Sequence, residues 1–238
     1  MARRARLVIP GLPHYIQQKG YDESPLFFSK SDGETYQRIL KTCCASAGLQ
    51  ILGYCFMPDE IHLLAVPQNK ESLRKGIGDS SRQYARFINE SGKMPPENDG
   101  TLWADRFHSC PLQDKYTHHA LHLIEWTPVL AGEVKVPYHW HYSSARIREQ
   151  GEFDDLLSLH PLLKHVDWQA LRAKKPSYLQ MDLIYSHINT GRPLGDEAFI
   201  ASLEQKLGKR LRPRKRGRRP AAPSLSEAHN AAASFSII

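Results

Sequence analysis

The chain has 238 residues, of which 41% are apolar and 24% charged, with a net charge of +7. That length and balance allow one sizeable core and exclude both a chain too polar to fold and a small scaffold needing covalent staples. The four cysteines, Cys43, Cys44, Cys55 and Cys110, contain no Cys-x-x-Cys spacing. Neither a disulfide framework nor a thiolate zinc site is therefore expected, and a reducing cytoplasm is. No apolar run is long enough to span a bilayer, and Pro10, Gly11 and Pro13 interrupt the stretch after the basic Met1 to Arg6 segment, so no export or membrane insertion is expected.

In chain order, His14 to Gln18 reads as a strand ended by Lys19-Gly20. Ser31 with Glu34 predicts a capping box, opening a helix whose stripe of Tyr36, Ile39, Leu40, Cys43 and Ala47 stops at Gly48. Leu49 to Met57 predicts a central strand, Pro58-Asp59 a turn, and Glu60 to Val66 the second arm of a hairpin in the sheet centre. A helix over about Glu71 to Glu90, a loop from Ser91 to Gly100, a strand from Trp103 to Leu112 and a helix from Asp114 to about Trp126, closed before Pro128, follow. That order describes an α+β, ferredoxin-like antiparallel sheet with helices mainly on one face. From about Gly151 the pattern changes to short helices capped by Asp167, by Ser177 with Gln180, and by Asp196, the last stopped by Gly208. Three regions result: 1–148, a helical region 149–208, and a basic tail 209–238 expected to be disordered.

Two features carry chemistry. Side chains in a strand repeat every second residue, so Glu60 and His62 share a face, and a carboxylate beside an imidazole can hold magnesium or manganese against a phosphodiester. The alternative is the polar face of a half-buried strand. The second feature is charge. Lys209, Arg210, Arg212, Arg214, Lys215, Arg216, Arg218 and Arg219 occur within residues 209–219 without an acid, so the tail outweighs the net charge of the whole chain and the body is close to neutral. A polycationic arm on a neutral body is a polyanion contact or a solubilising tail; the first gains from counterion release. Arg74, Lys75, Arg82 and Arg86 line one predicted helix as a solvated face or as phosphate contacts. His118, His119 and His122 read as exposed helix residues.

Several stretches resemble a family. Arg6 to Gly20 (RLVIPGLPHYIQQKG), Tyr54 to Leu64 (YCFMPDEIHLL), Ser81 to Asn89 (SRQYARFIN), Leu102 to Leu112 (LWADRFHSCPL) and Pro128 to Gly132 (PVLAG) are similar to the REP-associated tyrosine transposases, members of the single-tyrosine HUH superfamily. The resemblance implies a ferredoxin-like nuclease fold that binds single-stranded or hairpin DNA from palindromic repeats. In active members of that family a His-hydrophobic-His pair holds a divalent metal, a helix tyrosine attacks the phosphodiester, and an amide one turn later completes the metal site. On this chain the first histidine position falls on Glu60, the second on His62, the tyrosine on Leu123 and the amide on Thr127. An alkyl side chain offers no nucleophile, so the expectation is DNA binding with the transposition chemistry lost. Binding would rest on Arg74, Lys75, Arg82, Arg86, Arg106 and the tail. One rival is an active transposase or nuclease using Tyr116, with His119 joining Glu60 and His62; another is a protein-interaction module on the same fold.

Overall fold

The computed structural model describes residues 6–213 except Phe153 and His165. Four antiparallel strands, β1 (His14–Lys19), β2 (Leu49–Phe56), β3 (Glu60–Pro67) and β4 (His108–Pro111), form one sheet in the order β2-β3-β1-β4. The β2-β3 hairpin therefore lies at one side, not in the centre as expected. β1 docks on the free side of β3, pairing Gln17 with His62 and Lys19 with Glu60, which makes β3 and β1 the inner strands. The apolarity of β2 has another cause: single bridges from Ser143 and Leu157 cover its outer edge. β4 is shorter than the expected Trp103 to Leu112 strand, because the chain joins the sheet only at His108, after an isolated bridge between Trp103 and Gly20.

Helices pack on both faces, which differs from the expected one-sided arrangement. Alternate strand residues divide the core: Ile16, Ile61, Leu63, Tyr54 and Phe56 meet Tyr36, Leu40 and Tyr84 of α1 (Lys30–Ala47) and α2 (Asp79–Glu90). Tyr15, Leu64, Leu52, Cys55 and Cys110 meet Leu121, Leu123 and Ile124 of α3 (Thr117–Leu130) and Ile184 and Ile188 of α6 (Tyr178–Thr190). Each fully buried leucine contributes roughly 1.5–3 kcal/mol relative to exposure. α3 is apolar almost all round, as a helix between a sheet and a further helical layer must be. Its close approach needs Gly53, where a Cβ would clash with the Leu121 side chain.

Boundaries differ where a local bond wins. The expected Ser31-Glu34 box does not form; α1 starts at Lys30, and Asp32 accepts instead from the Phe28 amide at 3.0 Å and from Lys93 at 2.5 Å. Gly48, at φ 60°, closes the helix. A π-turn, Arg74–Gly78, precedes α2, with Gly76 against the Leu49 side chain. α3 runs through Pro128, whose missing N–H costs one bond only in the last turn.

Beyond α4 (Ser144–Gln150), the caps of α5 (Trp168–Ala173), α6 and α7 (Glu197–Leu207) form as read from the sequence, including the reciprocal Ser177-Gln180 box. α6 and Leu194 join the same buried cluster as α3, and Leu194 bridges Leu112. No described helix is long and apolar enough to cross a membrane.

Candidate functional site

The register of β1 against β3 builds a polar cluster on the α3 side of the sheet. Tyr15 and Gln17 of β1 share a face with Glu60 and His62 of β3. His62 is fully buried; its Nδ1 hydrogen-bonds the Tyr15 hydroxyl at 2.8 Å, and its Nε2 lies 2.8 Å from Glu60 Oε1, without the alignment of a hydrogen bond. Glu60 Oε2 accepts from Gln17 Nε2 at 2.9 Å, and the Lys19 ammonium is 3.8 Å away. Burial alone would raise the Glu60 pKa, but His62, Lys19 and Gln17 outweigh it and hold the carboxyl down at about 2. Burial acts in the same direction on the phenols, and there it prevails: Tyr15 is raised well above its usual value, and Tyr185 of α6, which also feels Glu60, is pushed up to about 12. Both tyrosines stay neutral near pH 7.

The position onto which the sequence resemblance carries the nucleophile, Leu123, is filled by packing. Leu123 has no exposure and belongs to the same cluster as Tyr15. Thr127 is also buried, and its hydroxyl donates to the Leu123 carbonyl at 3.0 Å, a bond internal to α3. Two donors, Glu60 and His62, stand close enough to be neighbouring ligands of one ion, yet no group of three or more His, Cys, Asp or Glu residues with metal-site geometry occurs among the described residues. Tyr15 holds His62 Nδ1 and Gln17 holds Glu60 Oε2, which leaves His62 Nε2 and Glu60 Oε1 of this dyad as two donors, too few on their own for a resident magnesium or manganese.

A model of the family described as "Transposase IS200 like" matches residues 22–125, the stretch from just after β1 to the middle of α3. That segment is transposase-like. It contains Glu60, His62 and Leu123 but neither β1 nor the helical region after α4. Among solved structures, one of a REP-associated tyrosine transposase bound to a REP hairpin is similar at 16% identity and a TM-score of 0.49, over 67% of this chain and 93% of that one. A transposase candidate from Deinococcus radiodurans R1 is similar at 16% identity and a TM-score of 0.38, over 55% of this chain and 97% of that one. No curated protein matches.

The structure scatters the other residues singled out in the transposase-like segment and the tail. Tyr116 sits in a 3-10 turn before α3, with its ring beside His119, and the grouping of His119 with Glu60 and His62 that the rival reading requires does not form among the described residues. His122 is buried rather than exposed, its Nε2 hydrogen-bonded to the Lys174 carbonyl at 2.6 Å. Arg74, Lys75, Arg82 and Arg86 lie with α2 on the far side of the sheet from the dyad. Three of them pair with acids one turn away: Arg74 with Glu71, Arg82 with Asp79 and Arg86 with Glu90. Arg106, Lys209 and Arg210, by contrast, line one cleft beside β4. Arg212 bonds Glu197 and Glu204 of α7. Arg214, Lys215, Arg216, Arg218 and Arg219 lie outside the described residues. Sequence reasoning missed Tyr15 and Gln17. Their alternation in HYIQQK was a signal, but nothing in the sequence pairs β1 with β3.

Proposed function

We propose that this is a cytoplasmic DNA-binding protein built on a transposase-like domain, recognising single-stranded or hairpin DNA without performing strand transfer. The observation that supports this reading is Leu123: the residue onto which the family resemblance carries the nucleophile is an alkyl side chain sealed in the core. No proton transfer or metal can convert that group into a nucleophile. DNA affinity has separate sources, in cationic side chains and backbone donors spread over the surface, so it survives the loss. Glu60 and His62 supply two donors to magnesium or manganese, and any ion drawn there would depend on water or phosphate oxygens for the rest of its shell.

The test incubates the protein with labelled hairpin and linear single-stranded DNA and manganese, then reads binding by gel shift and covalent attachment on a denaturing gel. Retarded hairpin without adduct or cleavage is expected. A denaturant-resistant adduct, mapped to Tyr116 or any other tyrosine, would overturn the reading.

A further inference from the structure

The cleft beside β4 has a volume of about 480 Å³ and lies at the free edge of the sheet. Its walls come from four stretches of the chain: Arg6 and Leu7, residues 105–109, residues 188–193 and residues 209–211. Five cations line it, Arg6, Arg106, Arg192, Lys209 and Arg210, against one acid, Asp105. Arg6 is the fixed member: its guanidinium lies 3.4 Å from the centre of the Phe107 ring and donates to the Phe107 carbonyl at 2.6 Å. A second observation is independent of charge. Ser109 lines the cleft with 4% exposure, and its buried hydroxyl has no hydrogen-bond partner. Buried hydroxyls are ordinarily bonded, so this one is suited to a ligand oxygen.

Two further features bear on what enters. The acids of α7 do not neutralise the cleft, because Glu197 and Glu204 are engaged by Arg212, and Glu204 Oε1 also accepts from the Leu211 and Arg212 amides at 2.7 and 3.0 Å. That clasp fixes the 209–211 wall while leaving Lys209 and Arg210 exposed. The strand register then links the cleft to the dyad, since His108, which lines the cleft, pairs with Gln17, and Gln17 pairs with His62. Two strand spacings separate His108 from His62, about 10 Å.

We propose that this cleft is a groove for a single DNA strand, in which Arg6, Arg106 and Arg192 hold successive phosphates, Ser109 donates to one of them, and Lys209 with Arg210 closes the outer wall. The proposal rests on the DNA-binding reading above and assigns that reading a place. A groove of this volume admits a small-molecule-sized segment of chain, one or two nucleotides, and no duplex.

The test is fluorescence anisotropy with labelled oligothymidylate over a salt series, using the full chain and an Arg106→Ala/Lys209→Ala/Arg210→Ala variant. The control, Arg38→Ala/Lys70→Ala/Lys135→Ala, removes three exposed cations elsewhere. The groove variant should weaken binding at least about tenfold and flatten the salt dependence by a slope of about 2, given roughly 0.7 for each single-strand phosphate contact. Ser109→Ala, with an unchanged salt slope, should lose affinity as well. Circular dichroism checks that each variant is folded. Oligouridylate binding with the same loss in the groove variant would support a reader of the shared phosphodiester chemistry. A groove variant that binds like the unsubstituted chain, or a preference for duplex, overturns the groove while leaving DNA binding intact. If the unsubstituted chain binds no strand at any salt, both readings fall.

Discussion

At the scale of single residues, what the Glu60-His62 site and its surroundings can do turns on what each side chain can donate and what surrounds it. Leu123 is sealed in the cluster that α3 and α6 build on one face of the sheet, so a phenol there would have to displace its neighbours. Leu123→Tyr is expected to lower unfolding stability by about 1–3 kcal/mol in a urea titration and to give no DNA adduct. His14 shows a different constraint. Its ring is buried, Nε2 accepts from the Ile9 amide at 3.2 Å, and Nδ1 lies 2.9 Å from the Leu12 carbonyl, an arrangement that requires the neutral form. Burial lowers its pKa from 6.5 to about 4. The unfolded chain thus binds the proton first as pH falls, and stability drops between pH 6.5 and about 4 by on the order of 3 kcal/mol. Thermal unfolding across that range should show the loss, and His14→Gln should flatten it.

At the scale of elements, one buried ion pair joins three of them. Arg148 of α4 bonds Glu125 of α3, the Leu52 carbonyl of β2 and Ser144, and its guanidinium lies 4.2 Å from the centre of the Trp168 ring. Glu125 also accepts from Ser144 at 2.9 Å and is 3% exposed. Arg148→Ala would leave that carboxylate buried without its cation and is expected to cost about 3–5 kcal/mol. Replacing both partners with apolar residues, Glu125→Leu/Arg148→Met, should restore most of the loss in the same denaturant titration. Nothing in the sequence marks Glu125 and Arg148 as partners, because they are neighbours only after α3 and α4 have both packed on β2.

At the scale of the whole molecule, charge is divided between a body that positions cations and a sequence segment that concentrates them. The groove uses residues from both ends of the chain, Arg6 and Arg210 among them, which only the closed fold brings together. The five cations Arg214, Lys215, Arg216, Arg218 and Arg219 follow directly in sequence. Replacing all five with glutamine is expected to weaken DNA binding and to lower the salt slope by up to about 3.5 if each meets a phosphate. An unchanged slope in the anisotropy series would remove the tail from the interface.

The sequence by itself determined the α+β class, the presence and period of each strand, the caps at Asp167, Ser177 and Asp196, and the shared face of Glu60 and His62. These are local properties, set by side-chain alternation and by bonds that reach three or four residues along the chain. Only the tertiary structure decided that β2 lies at an edge, that helices cover both faces, that Tyr15 and Gln17 close around the Glu60-His62 pair, and that Arg6, Ser109 and Arg210 share a cleft. Each of those depends on strand order or on contacts across tens to hundreds of residues, which residue types and their spacing leave open.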